Sequence, residues 1–226
     1  MPPVPELRRS RCAWSLSRCR LRGVGRRAPA DARLFNEQSD WRGRGAAVTR
    51  LFGKPLITQQ EIARRIKDLG RRISEDYQGR DVIMIGVLKG AFAFFSDLVR
   101  AVQVPVAVDF LVVSSYQAST RSSGRVKVIS DLTLDIKGQD VIVVEDIVDS
   151  GLTLSYIKKK LLVRHPNSLR VCALLDKPDR RTMNVPLEYV GFTVGNKYVV
   201  GYGLDYKNQY RNLPYIAVLD QVEDQD

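Results

Sequence analysis

The sequence has one histidine and three cysteines in 226 residues. A lone His165 leaves a His-based triad or a zinc mechanism without its parts, and Cys12, Cys19 and Cys172 give neither an even disulfide framework nor metal-ligand spacing. Cys172 stands in an apolar stretch, where a reduced, buried thiol is expected, and a reducing compartment with it. His165 precedes Pro166 at a helix end and reads as a C-terminal charge or a surface residue rather than a catalyst. No apolar run approaches the length that crosses a bilayer, so a soluble chain is expected.

Lysine is absent from residues 1–47, which hold eleven arginines and four acids, a surplus of seven within the formal net charge of +11. Residues 48–226 carry the other 25 basic and 21 acidic residues, a surplus of only four. That mild surplus suits a polyanionic substrate and argues little for nucleic acid. The leader, with Pro2, Pro3 and Pro5 and no 3.6 or 2.0 period, is expected to be disordered. It reads as a basic tail for nucleic acid or an anionic surface, as an organelle transit peptide, or as upstream sequence translated from a start placed too early. The prolines and Glu6 spoil the amphipathic helix of a transit peptide, and the third reading is favoured because the patterned sequence begins abruptly near Val48. The expected division is therefore a basic leader, 1–47, and one core-bearing domain, 48–226.

What is present centres on Val141-Ile142-Val143-Val144-Glu145-Asp146-Ile147-Val148-Asp149-Ser150-Gly151-Leu152-Thr153. Four β-branched residues run into two adjacent carboxylates, a third carboxylate follows, and Ser-Gly-x-Thr opens a stretch rich in Leu, Tyr, Ile and Lys. The pattern predicts buried strand, tight turn, helix. A helix N-terminus offers unpaired N–H groups and the positive end of its dipole, Gly151 lets backbone approach a ligand, and Ser150 and Thr153 add hydroxyls, so the turn suits a phosphate monoester. Glu145 and Asp146 would repel a phosphate and need another task, such as holding sugar hydroxyls or sitting near a divalent metal. Asp149 is then left for proton transfer. The plain alternative is a strand ending in a solvated acidic turn capped by Ser150.

This segment resembles the phosphoribosyl-pyrophosphate signature of type I phosphoribosyltransferases. Together with Val87-Leu88-Lys89-Gly90, Ser114-Ser115-Tyr116, Leu175-Asp176-Lys177-Pro178 and the run from Lys197 to Tyr206 through Arg211, it makes residues 48 to 220 similar to the hypoxanthine-guanine phosphoribosyltransferases. The resemblance implies an α/β fold, with a central, mostly parallel sheet flanked by helices and a small C-terminal hood. It implies a purine-salvage enzyme that joins hypoxanthine or guanine to 5-phosphoribosyl 1-pyrophosphate, using Mg2+, as a cytoplasmic homodimer or homotetramer. It assigns Lys89, Gly90 and Arg211 to pyrophosphate, with a cis peptide possible between Leu88 and Lys89. Ser115 and Tyr116 belong to a lid that keeps water from the activated sugar. Glu145 and Asp146 go to the ribose hydroxyls and metal, and Ser150, Gly151, Leu152 and Thr153 to the 5′-phosphate.

The same resemblance makes Asp149 the general base toward the purine's N7 side. Tyr198, where the family often has Phe, stacks on the base; the Val199 backbone reads its edge, and Asp205 sits near a second magnesium or the base's amino group. A lysine donor such as Lys177 suits the exocyclic oxygen of a 6-oxopurine and cannot pair with adenine's amino group. Two rivals stand beside this reading: a xanthine-preferring enzyme, and a regulator of the same fold that binds the sugar pyrophosphate and nucleic acid.

In chain order, Thr58-Gln-Gln-Glu61 predicts a capping box before a helix with Ile62, Ile66, Leu69, Ile73 and Tyr77 inward. A strand over 81–88 and a helix over 91–102, with Phe92, Phe95, Leu98 and Val99 inward, follow. A strand over 106–113, a polar stretch over 114–125 and a hairpin within 126–136 precede the central strand. Leu154, Ile157, Leu161 and Leu162 are read as one inner helix face, and 169–175 as another buried strand. The stretches 185–194 and 197–203 are expected to form a separate small sheet, and 215–219 a last strand.

Overall fold

Thr58 caps the first helix by the predicted box: its N–H donates to Glu61 Oε2 at 2.8 Å and the Glu61 N–H donates to Thr58 Oγ1 at 3.3 Å. This helix, α1 (Gln59–Asp76), opens a computed structural model that describes residues 54–115 and 126–219. The basic leader and the acidic tail lie outside the described residues. The stripe Ile62, Ile66, Leu69, Ile73 and Tyr77 is buried throughout. A wholly buried side chain of this kind contributes about 1.5–3 kcal/mol.

Then come β1 (Val82–Leu88), α2 (Phe92–Ala101), β2 (Val106–Ser115), β3 (Val126–Ser130), β4 (Asp140–Val148), α3 (Leu152–Leu162) and β5 (Ser168–Asp176). A 3-10 turn (Pro178–Arg180), β6 (Tyr189–Thr193), β7 (Val199–Val200) and β8 (Ala217–Val218) complete the described chain. The main sheet has the order β3-β2-β1-β4-β5-β6, parallel except for β3.

Over β1, β4 and β5 both faces of that sheet are covered, which is why these strands read as nearly unbroken apolar runs. Met84, Ile142, Val144, Cys172 and Leu174 pack with α1 and α2 on one face. Ile83, Ile85, Val143, Val171 and Ala173 pack with Leu154, Ile157 and Leu161 of α3 on the other. Cys172 is free and buried, as expected. Among the described residues no helix is long and apolar enough to cross a membrane.

Four local expectations are corrected. The hairpin lies between β2 and β3, paired antiparallel from Val112 to Ser130, with residues 116–125 as its connection; it is not confined to 126–136. The stretch 185–194 does not join the small sheet: its strand β6 pairs in parallel with β5, and only β7 and β8 form the separate pair. Phe92, 46% exposed, does not face the core; Phe94 does, beside Phe95 and Leu98, which are buried as expected. Leu162, 51% exposed at the end of α3, also points outward.

Candidate active site

The C-terminal ends of β1, β4 and β5 lie side by side, the place where parallel sheets bind ligands. The expected site residues arrive there from three turns. After β1, the Leu88–Lys89 peptide bond is cis, and Lys89-Gly90 turns into α2 with the Phe92 N–H donating to the Lys89 carbonyl at 3.2 Å. Gly90 is held between two partners. A Cβ on it would fall 1.7 Å from Asp146 Oδ2, and its carbonyl oxygen lies 2.2 Å from where a Cβ on Gly203 would stand.

The strand β4 runs through Val148, so Glu145 and Asp146 belong to the strand and not to the turn after it. Register explains this: Glu145 still pairs with Ala173, and Val148 with Asp176. Glu145 is buried, and burial together with the Asp146 charge raises its carboxyl well above the usual range. Burial also pushes Asp146 up to about 6, against the N–H of Ile147 and the Arg211 charge, while Asp205 adds repulsion. Two adjacent acids in this state, with no salt-bridge partner among the described residues, are prepared for a ligand that brings hydroxyls or a cation.

The turn itself is Asp149-Ser150-Gly151. Gly151 caps α3 at φ +82°, a left-handed conformation that favours glycine, and Ser150 Oγ accepts the Leu152 N–H at 3.4 Å. Leu152 and Thr153 form the first turn of α3, where free N–H groups and the dipole favour an anion. Asp149 is ion-paired with Arg180, Nε to Oδ1 3.0 Å, and Arg180 Nη1 also donates to Asn196 Oδ1 at 3.3 Å.

Lys177 follows β5 directly; its N–H donates to the Val148 carbonyl at 3.0 Å, which sets it beside Asp149. Its side chain is buried, and that burial holds its ammonium below the ordinary lysine value although Asp149 opposes the shift. Asp149 and Lys177 therefore share one end of the sheet. The hood joins them there through Asn196, two residues before Tyr198. Tyr198 is 44% exposed and meets the Tyr206 ring edge-on at 5.7 Å, while its hydroxyl donates to the Asp205 carbonyl at 3.4 Å. Val199 is buried in β7 opposite Val218. Arg211 spans the hood loop, with Nη2 2.7 Å from Asp205 Oδ1 and Nη1 donating to the Gly203 carbonyl at 2.6 Å.

Ser115 ends β2, while its side chain and Tyr116, with the rest of the expected lid to residue 125, lie outside the described residues. Glu145, Asp146 and Asp205 do not form one metal cage: among the described residues no group of three or more His, Cys, Asp or Glu side chains could hold an ion. Three contributors were not foreseen from sequence: Arg180 on Asp149, the Asp176–Arg181 pair, and Gly203 against Gly90. Two arginines in a turn look like a solvated surface. Arg180 meets an acid 31 residues back, brought near by the parallel register of β4 and β5, whereas Arg181 turns back onto Asp176, five residues before it.

The phosphoribosyl transferase domain model matches residues 55–207. The chain is 52% identical over 171 residues to the hypoxanthine-guanine phosphoribosyltransferase of Mycobacterium avium, covering 73% of this chain and 84% of that one. It is 50% identical over 164 residues to the hypoxanthine phosphoribosyltransferase of Escherichia coli, covering 72% and 92%. Among solved structures, the hypoxanthine-guanine phosphoribosyltransferase of Bacillus anthracis superposes with a TM-score of 0.71 at 42% identity, covering 74% of this chain and 99% of that chain.

Proposed function

The chain belongs to the phosphoribosyl transferase domain family, as a purine-salvage enzyme of the hypoxanthine-guanine kind, and from that membership we propose how its residues divide the reaction. The substrates are 5-phosphoribosyl 1-pyrophosphate and a 6-oxopurine; the products are the purine nucleotide and pyrophosphate. The observation that carries the division of labour is the placing of Asp149 beside Lys177 at one end of the sheet.

The N-terminus of α3, with Ser150, Gly151, Leu152 and Thr153, seats the 5′-phosphate through backbone N–H groups and hydroxyls. Glu145 and Asp146 hold the ribose hydroxyls. Lys89, the Gly90 backbone and Arg211 take the pyrophosphate, whose leaving charge they offset. Ser115 and Tyr116 belong to the lid that excludes water. Lys177 donates to the exocyclic oxygen, Tyr198 stacks on the ring and the Val199 backbone reads its edge. Asp149 accepts the purine proton as the anomeric carbon becomes cationic, and Arg180 must release it or share it at that moment.

Magnesium fits this donor set. The acids do not build a cage of their own, and Mg2+ is ordinarily held by one or two carboxylates plus substrate phosphates, which Asp146, Glu145 and Asp205 with the sugar pyrophosphate would supply. When bound, the ion neutralises charge that builds on the leaving pyrophosphate. The protein acts in the cytoplasm as a homodimer or homotetramer. Phe92, Val108, Phe110 and Ile129 are exposed apolar side chains on which such an assembly could draw.

Nucleotide formation tests this reading: the full-length protein is incubated with the sugar pyrophosphate, Mg2+ and, in turn, hypoxanthine, guanine, xanthine and adenine. Turnover with hypoxanthine or guanine and none with adenine is expected. Turnover with adenine, or with no 6-oxopurine, would contradict it.

A further inference from the structure

We infer that Arg181 is a positioning residue that braces the phosphate turn from the neighbouring loop, so that its loss weakens the hold on the sugar phosphate and spares the hold on the purine. The inference rests on the phosphoribosyl reading above. It concerns a residue that touches neither the base nor the reacting carbon.

A turn that carries a dianion must keep its N–H groups directed, and Gly151 has no side chain with which to do so. The support comes from residues 181–183. A Cβ on Gly151 would lie 2.8 Å from the Met183 carbonyl oxygen, 3.1 Å from Arg181 Cδ and 3.4 Å from Arg181 Nη1. On the preceding residue, the Ser150 carbonyl accepts the Thr182 N–H and the Met183 N–H, both at 3.0 Å, and the Thr182 hydroxyl at 3.1 Å. The turn is thus tied to this loop by backbone and pressed against it by contact.

Arg181 holds the loop in place. Its Nη2 is ion-paired with Asp176, the last residue of β5, and both side chains are largely covered, 16% and 18% exposed. Arg181 Nη1 is buried and has no hydrogen-bond partner among the described residues. A buried guanidinium N–H without an acceptor costs free energy, which the field of an anion nearby offsets. The 5′-phosphate is that anion. Nη1 lies against the turn proposed to seat it, 3.4 Å from where a Cβ on Gly151 would stand. The guanidinium fork, anchored on one arm and facing the turn with the other, is a task that a lysine's single ammonium fills only in part.

Steady-state kinetics on the full-length protein, with calorimetric binding of ribose 5-phosphate, test this in wild type, Arg181→Met and Arg181→Lys. Arg181→Met is expected to raise the KM for the sugar pyrophosphate and the Kd for ribose 5-phosphate about tenfold, with kcat and the hypoxanthine KM within about twofold. Arg181→Lys should recover part of the loss. Unchanged ribose 5-phosphate binding in Arg181→Met, or equal losses in the hypoxanthine KM, overturns the inference. If Arg181→Met does not fold, Arg181→Lys decides: weaker ribose 5-phosphate binding supports the brace, and wild-type binding overturns it. A wild-type protein that makes no nucleotide strikes the functional reading, whereas an active wild type with silent Arg181 variants strikes this inference alone.

Discussion

A Cβ on Gly90 would stand 1.7 Å from Oδ2 of Asp146, so the turn after β1 and the second acid of β4 are in direct contact. The Gly90 carbonyl in turn meets Gly203 of the hood. The Lys89-Gly90 turn, the acidic pair and the hood are one packed unit, built where two side chains are missing.

Gly90→Ala should therefore fold and fail to catalyse. The atom in the way is the far end of an aspartate side chain, which can rotate, but rotation takes Asp146 from its place. A displacement of this size costs roughly 10²-fold in kcat/KM. Gly203→Ala should instead destabilise, by about 2–3 kcal/mol, because the obstacle is a backbone carbonyl and φ is +101°. Chemical denaturation and kinetics on both variants separate the two outcomes; a Gly90→Ala enzyme with wild-type kcat/KM would remove Asp146 from the site.

Tyr198→Phe should leave the hypoxanthine KM within about twofold, since the lost hydroxyl makes only a 3.4 Å bond to the Asp205 carbonyl. Tyr198→Ala removes the ring face and should raise that KM about tenfold or more, stacking of a base on an aromatic ring being worth about 1–3 kcal/mol. Equal KM values for Phe and Ala variants would show that the ring does not stack on the base.

Much of this was legible in sequence and some was not, for physical reasons that differ by residue. Thr58 and Glu61 form their box because both partners lie within one helical turn, and local chemistry decides the outcome. Glu145 and Asp146 were placed at the right end of the right strand, but the sequence left open a solvated acidic turn there, because a carboxylate reads as solvated until the neighbouring strand is known to continue past it. The β6 strand was misplaced for a related reason. Its alternation is real, but nothing in Tyr189–Thr193 itself chooses between the edge of the main sheet and a sheet of its own. Arg180 and Arg181 were missed altogether: the partner of Arg180, Asp149, is set by parallel register, and Arg181 reaches Asp176 only because the turn after β5 folds back on the strand end.

Acid stability should depend on Asp140. Burial pushes this carboxyl up, but bonds from Ser168 Oγ at 2.5 Å and Asn167 Nδ2 at 2.8 Å, with the Arg80 charge, outweigh it and hold it below the ordinary aspartate value. A carboxyl depressed in the folded state stabilises above its unfolded pKa, near 4, and the contribution fades as pH falls through the folded value. Asp140→Asn should lower stability at pH 7 by about 1–3 kcal/mol and weaken the loss of stability between pH 4 and 2, read by urea unfolding at each pH. An unchanged acid limb would mean that Asp140 titrates normally.

Chelation should stop turnover without unfolding the chain. The described acids form no cage, so EDTA is expected to abolish nucleotide synthesis while leaving the melting temperature of the ligand-free protein where it was. A large fall in melting temperature would reveal a structural ion.

The rate of IMP formation by Asp149→Asn in a single turnover, at saturating sugar pyrophosphate and hypoxanthine, bears most directly on the assignment of Asp149 as the base facing the purine held by Lys177. The rate should fall by roughly 10²–10⁴-fold, the usual contribution of a general base, with the affinity for the sugar pyrophosphate changed by less than about threefold. A wild-type rate in that variant would contradict it.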